Sequence, residues 1–513
     1  GLLSSSRRRL REPHITVRVG DSKLDNTGSI YSQYNPNAGS LPVDDNYAAF
    51  RNVFWLATDR FYKRATEDIT RKRSVLREVS DPDTTADFSA APPVHLLTPL
   101  TKLKIDETHW TKLVRQLSAR LQNYPDIYAS HVNLRAIDST FRLVNTEGTV
   151  LRTPEQFSDL QIRTATLLPD GTTIWNHTFL CGTHPSDLPP ETQLKKAVDE
   201  TAAETQALIK APAAEEYAGP VLFEGQASPE MLAQILDDAV RILRNPVTPP
   251  SHPVPLLDSV WASRLGMKVT PDWMTIVDDP SATEFHGTLL LGHFLVDDEG
   301  VAAQRVVLVE KGTLKGFLLT RQPVRTFSGA NGHGRLPGLF GARQPVIGNM
   351  LVTVDQSSPE AEMKQKLLAM VKSAGLKYGM LIRKMDFPSS APLSVLERTV
   401  KQMQGSGVSR SISMPLLAYR VYPDGHEELV RGVRFKEFSA KDLRTVAAAS
   451  DRQYVLNYVN NGSRYDWIDA PGSATISSVV APSLLFESIE LDKTDDQKQK
   501  PPLAPPPALT AQK

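Results

Sequence analysis

The stretch from Asp297 to Gly334 reads DDEGVAAQRVVLVEKGTLKGFLLTRQPVRTFSGANGHG, and its reading decides the fold. An acidic turn ending in Gly300 opens a strand rich in Val. A Lys311-Gly312 turn leads to a second strand, and a glycine-rich loop closes the unit. Turn residues between β-branched runs predict antiparallel hairpins. Outward from this unit the same signals continue: from about Tyr217 to Leu491 strand patterns dominate. They are interrupted by helical spacing at Glu360–Ala374 and, more weakly, at Leu393–Gln404.

The first two hundred residues read differently. Residues 12–20 alternate like a strand, and 21–45 are rich in Asn, Gly, Ser and Asp, as loops are. Tyr47, Phe50, Phe54, Ala57, Phe61 and Ala65 then recur at helical spacing, with Asp44, Asp45 and Asn46 available as caps, and predict a helix to about Glu78. A shorter helix follows around Trp110–Leu121. Strands are predicted at Ile127–Ala136, Thr140–Asn145, Leu160–Leu168 and Thr172–Leu180, and a long helix at Glu191–Lys210. Two long helices on an antiparallel sheet make an α+β unit. The expected organisation is an N-terminal α+β domain over 1–213, a mostly antiparallel β-rich domain over 214–492, and a Pro-rich tail over 493–513 without the means to build a core.

With 513 residues the chain can bury a large core in two or more domains. Its 58 basic and 58 acidic residues cancel, so no net field favours nucleic acid or an anionic membrane. No apolar run approaches the ~20 residues of a membrane span. The single cysteine, Cys181, excludes an intrachain disulfide and a cysteine-rich metal site. The chain starts at Gly1 and not at Met, so an N-terminal segment is expected to be missing. A periplasmic or extracellular location therefore stays open, with the cytoplasm as the alternative.

The opening stretch resembles the signature of the TldD/PmbA family, the "modulator of DNA gyrase" relatives of metallopeptidases. The matching residues are Asp297, Asp298, Glu299, Gly300, Gln304, Gly312, Leu314, Leu318, Ser328, Gly329, Asn331 and Gly332. Further landmarks follow in order: GPVLFEGQAS at 219–228, Gly348-Asn349, LAYRVYPDGHEELVRG at 417–432 and APSLLFESIEL at 481–491. In active members a Phe-Glu strand leads into a helix bearing His-Glu-x-x-x-His. Its histidines hold zinc, its Glu serves as general base, and a later cysteine adds a ligand. Carried over from Phe223-Glu224, the first His position is Ala233, the Glu position Gln234 and the second His position Asp238. Alanine has no donor atom, glutamine is no base, and Cys181 lies in the first domain. The resemblance thus implies a metallopeptidase-like protein whose zinc site is degenerate, with no cofactor expected. The alternative is an active peptidase with unconventional ligands drawn from Asp237, Asp238 and a histidine.

The family also implies pairing through the C-terminal half, as a homo-oligomer or beside a TldD-like paralogue, and an extended peptide held at exposed strand edges. A remaining peptide site is expected on the loop Ser328–Arg335, beside the turn at Asp297–Gly300 and the first turns of the helix at 229–242. Asn331, His333, Arg335 and Glu299 are its candidate binding residues. His286 and His293 are read as core or rim histidines, Asp297–Glu299 as a hairpin turn and not a calcium cluster, and the glycine loop as no nucleotide site, since it lacks a P-loop lysine.

Overall fold

The computed structural model describes residues 4–494 apart from 33–38, 40, 80–82, 255–258, 325, 338–339, 388–411 and 461–473. The helix expected at Leu393–Gln404 and nearly all of the tail lie outside the described residues.

Helix α1 spans Tyr47–Glu78, with Asn46 as N-cap: its side chain accepts the Ala49 N–H. The N-terminal sheet has four strands, β1 (His95–Leu97), β2 (Ala129–Val144), β3 (Val150–Leu167) and β4 (Thr173–Gly182). β2 and β3 form a hairpin in unbroken register from Ala129↔Ala165 to Val144↔Val150. The two strands expected at 127–136 and 140–145 are therefore one; the polar residues Asp138, Ser139 and Thr140 stay in the ladder. Pro154 sits inside β3 where its missing N–H costs nothing. β1 covers the far side of β3 only to Arg152 and β4 only from Ser158, so Pro154 lies in the gap. Among the described residues the strand expected at 12–20 forms no ladder; His14 and Gly20 are single bridge residues, Gly20 with Asp25.

Two helices cover this sheet, α2 (Glu107–Arg120) and α3 (Glu191–Lys210). Leu113, Leu117, Leu194 and Val198 pack on Leu160 and Ile162 between them. α1 contributes nothing to that core. Its buried half lies on the 18–32 segment, where Lys72 Nζ donates to the carbonyls of Asp25 and Thr27 and pairs with Asp87.

The second sheet has eleven strands. Along it run β10 (Thr313–Leu314), β9 (Val306–Glu310), β6 (Met274–Asp278), β13 (Asn349–Val354), β19 (Thr475–Lys493), β5 (Tyr217–Phe223), β14 (Gly379–Met385), β15 (Pro415–Val421) and β16 (Glu427–Val430). β17 (Val433–Phe435) and β18 (Val446–Asn460) also pair with β19. Only β13–β19 and β14–β5 are parallel; the sheet is otherwise antiparallel, as the hairpin signals predict. Small hairpins β7–β8 (Glu284–Phe285, Thr288–Leu289) and β11–β12 (Gly334–Pro337, Arg343–Pro345) flank it. Helices α4 (Ala227–Ala239) and α5 (Glu360–Ser373) pack on it. α4 is buried along almost its whole length, with Met231, Leu232, Ile235 and Leu236 in the main core.

Candidate functional site

α4 follows β5 through Glu224 and Gly225, so the Phe-Glu strand end delivers the helix as the sequence alignment requires. Ala233 is buried in the core and presents a methyl group. Gln234 is used up at both ends of its amide. Nε2 donates to the Glu230 carbonyl and to Ser413 Oγ, both at 3.0 Å, and Oε1 accepts the Ser413 N–H at 2.8 Å. It clamps the segment before β15 to the helix.

One turn on, Asp237 and Asp238 converge on Arg241, at the i+4 and i+3 spacing that brings helix side chains together. Arg241 Nη2 lies 2.9 Å from Asp237 and 2.5 Å from Asp238, and Nε donates to the Asp237 carbonyl at 2.7 Å. Asn460, at the end of β18, donates to Asp237 Oδ1, Tyr458 Oη and Ser477 Oγ, and Ser477 Oγ donates to the Ile347 carbonyl. Burial, and next the Asp237 carboxylate, push the Tyr458 phenol well above its ordinary range, so it remains a hydroxyl.

The zinc that the family resemblance implies does not fit these residues. The first ligand position has no donor atom. The base position is an amide with its lone pair and N–H committed to Ser413. The carboxylates nearest the third position already hold a guanidinium. Among the described residues no group of three or more His, Cys, Asp or Glu is arranged to hold a metal.

The glycine-rich loop lies where the sequence places it relative to the acidic turn. Gly334 N–H donates to Asp297 Oδ2 at 2.9 Å and Asp298 N–H to the Gly334 carbonyl. Asp297 Oδ1 accepts the N–H groups of Glu299 and Val301, and Gly300, at φ 80°, completes the turn. A Cβ on Gly332 would stand 2.3 Å from the Ala302 carbonyl oxygen, and its φ is 75°, so only glycine fits this approach. Burial, and next the neighbouring Glu299, raise the Asp297 carboxyl to about 8, against the pull of the Val301 and Gly334 N–H groups.

All four candidate binding residues are engaged within the chain. Asn331 donates to the Phe317 carbonyl and accepts the Leu319 N–H, both at 2.8 Å. His333 is fully buried; Nε2 faces Asp278 at 3.1 Å and Nδ1 faces Asn331. Glu299 accepts the Arg321 N–H at 2.7 Å. Arg335 pairs with Glu155 on β3 and with Asp298, over the Phe294 ring. The part of the loop that faces solvent is Ser328 and Gly329. Replacing Asn331 and His333 together by alanine is therefore expected to lower the melting temperature by several degrees, because buried partners lose their hydrogen bonds. A melt unchanged within about a degree would show these bonds to be unimportant.

Of the other histidines, His286 occupies the left-handed turn of the β7–β8 hairpin (φ 48°), and His293 Nδ1 lies 2.8 Å from the Pro280 carbonyl. The residues that sequence reasoning passed over are Arg241, Tyr458, Asn460, Asp278 and Glu230. For Arg241 a signal existed in the spacing of Asp237-Asp238-x-x-Arg241. Among the described residues no helix is long and apolar enough to cross a membrane.

Residues 254–493 match the profile of the PmbA/TldA metallopeptidase C-terminal domain. A metalloprotease of Archaeoglobus fulgidus is 41% identical over 81 residues, and one of Methanocaldococcus jannaschii 34% over 91 residues. These segments cover 16% and 18% of this chain, and 18% of each relative's own length. The fold resembles a Thermotoga maritima structure described as a candidate modulator of a DNA gyrase. That match has TM-score 0.53 and 14% identity and covers 84% of this chain and 83% of the other. It also resembles TldE of Thermococcus kodakarensis, with TM-score 0.50, 11% identity and 87% and 85% covered. With the signature turn and the large mixed sheet in place, the C-terminal part of the chain, residues 254–493, belongs to the PmbA/TldA metallopeptidase C-terminal domain family, and the fold of the whole resembles that of TldE.

Proposed function

We propose that this protein is a family member that has given up its zinc site and serves as a structural or peptide-binding, self-assembling subunit. We take residues 1–213 and 214–492 as its two domains, followed by a Pro-rich tail. The observation that carries the reading is the state of the metal helix. The Arg241 guanidinium sits between Asp237 and Asp238, and Gln234 is clamped to Ser413. A fixed cation already fills the electrostatic role that a metal would have beside these carboxylates. An extended peptide would be held by backbone hydrogen bonds and would meet the loop at Ser328 and Gly329, with Glu299, Asn331, His333 and Arg335 holding that tip in place.

Elemental analysis of the purified protein, after incubation with zinc and buffer exchange, tests this. We expect less than about a tenth of an equivalent, in line with a donor set that lacks imidazole and thiolate. One equivalent of zinc, lost on Asp238→Ala and accompanied by peptide hydrolysis, would establish the alternative, an active peptidase with unconventional ligands.

A further inference from the structure

The first half of α1 carries an apolar stripe that, among the described residues, stays largely uncovered. Tyr47 is 75% exposed, Phe54 39%, Trp55 69% and Tyr62 56%. At 3.6 residues per turn these four fall within about 100° of arc. Ala65 and Ile69 continue the same stripe one and two turns on, and there they are buried, at 3% each. The stripe is thus a core-facing surface whose first 16 residues, about 24 Å of helix, run past the body that covers the rest.

We propose that this stripe is a two-fold interface with a second copy of the same chain, α1 packing antiparallel on α1. The proposal rests on the self-assembling reading above and assigns its surface. An isologous interface needs a patch complementary to itself, and this sequence has that property. A two-fold axis between Phe54 and Trp55 sets Tyr47 level with Tyr62 of the other copy and Phe54 level with Trp55. The charges agree. Asp45, which pairs with Arg11 of its own chain, comes level with Arg64 of the other copy, and Arg51 comes within one residue of Asp59, so like charges do not meet across the axis. The extent agrees too. At 150–250 Å² for each large aromatic side chain, the exposed fractions amount to roughly 500 Å² per copy. A pair then buries about 1,000 Å², where specific interfaces begin. Family resemblance directs pairing to the C-terminal half, whereas this surface lies in the N-terminal half, so experiment can separate the two.

Sedimentation equilibrium of the full chain from 1 to 100 µM is the test, with Trp55→Glu and, independently, Tyr47→Ser combined with Tyr62→Ser. The expected result is a dimer that both variants weaken by at least about 30-fold, the scale of an interface hot spot. Their melting temperatures should stay within about 2 °C, because these side chains lie outside the core. As a second measure, Phe54→Cys in a Cys181→Ser background should form an intermolecular disulfide under mild oxidation. A dimer that persists in both variants without that crosslink overturns the proposal and leaves the structural-subunit reading standing. A wild-type chain that is monomeric at 100 µM overturns both the proposal and the self-assembly. Binding of anionic vesicles by a monomer, abolished by Trp55→Glu, overturns it in favour of a membrane surface. A dimer of the expected kind that carries one equivalent of zinc upholds this interface and defeats the metal-free reading.

Discussion

Replacing Arg241 by alanine is expected to destabilise the C-terminal sheet and its helices by about 3–5 kcal/mol, the usual cost of leaving a buried charge without its partner. Arg241 is 5% exposed and Asp237 9%. Its guanidinium meets two carboxylates and the Asp237 carbonyl, and Asp237 in turn anchors Asn460. Removing the cation strands the Asp237 carboxylate against Tyr458 and Asn460. Arg241→Lys should fall between, since one ammonium can meet both acids as Nη2 does but cannot also replace the Nε bond to the Asp237 carbonyl. Arg241→Met with Asp237→Asn should recover part of the loss, because the uncompensated charge is removed with its partner. Urea midpoints at pH 7 measure this. A loss below about 1 kcal/mol for Arg241→Ala would mean that the network is solvated and that the guanidinium does not stand in for a metal.

How much of this site was legible depended on how far apart in sequence its partners lie. The loss of ligands at Ala233, Gln234 and Asp238 was plain, because a ligand is a residue type at a position. The capture of Asp237 and Asp238 by Arg241 was implicit in helix spacing. Tyr458, Asn460 and Ser477 were not legible: they reach α4 from strands more than 200 residues away, and only the pairing of β18 with β19 brings them there. The same holds for His333, whose partner Asp278 is 55 residues distant, so a histidine in a glycine-rich loop looked available when it is locked. α1 was readable to within its caps, since period and Asn46 are local. Which part of its stripe is covered was not, because that depends on where the 18–32 segment folds back.

The second large effect is a dependence on pH through Glu230. This residue lies in the first turn of α4, is 7% exposed and accepts the Met385 N–H at 2.8 Å. A helix N-terminus favours a carboxylate, yet burial outweighs it, and Asp386 adds repulsion. The carboxyl is raised to about 8, against the pull of the Met385 N–H and Lys384. In the unfolded chain the group titrates near 4.3. Between those values the folded protein holds a proton that the unfolded chain has released, so the contribution to stability is full below about pH 4 and is lost as pH rises towards 8. The slope reaches at most about 1.4 kcal/mol per pH unit. Glu230→Gln keeps an acceptor for Met385 and cannot ionise. The variant should match the wild type near pH 4 and exceed it by at least about 1.4 kcal/mol at pH 8, one pH unit of that slope. The comparison is a difference between two curves, so the other acids, Asp297 among them, cancel. If the difference between the urea midpoints of variant and wild type stays flat from pH 5 to 8, Glu230 is ionised in the folded protein, and the helix N-terminus and Lys384 have overcome its burial.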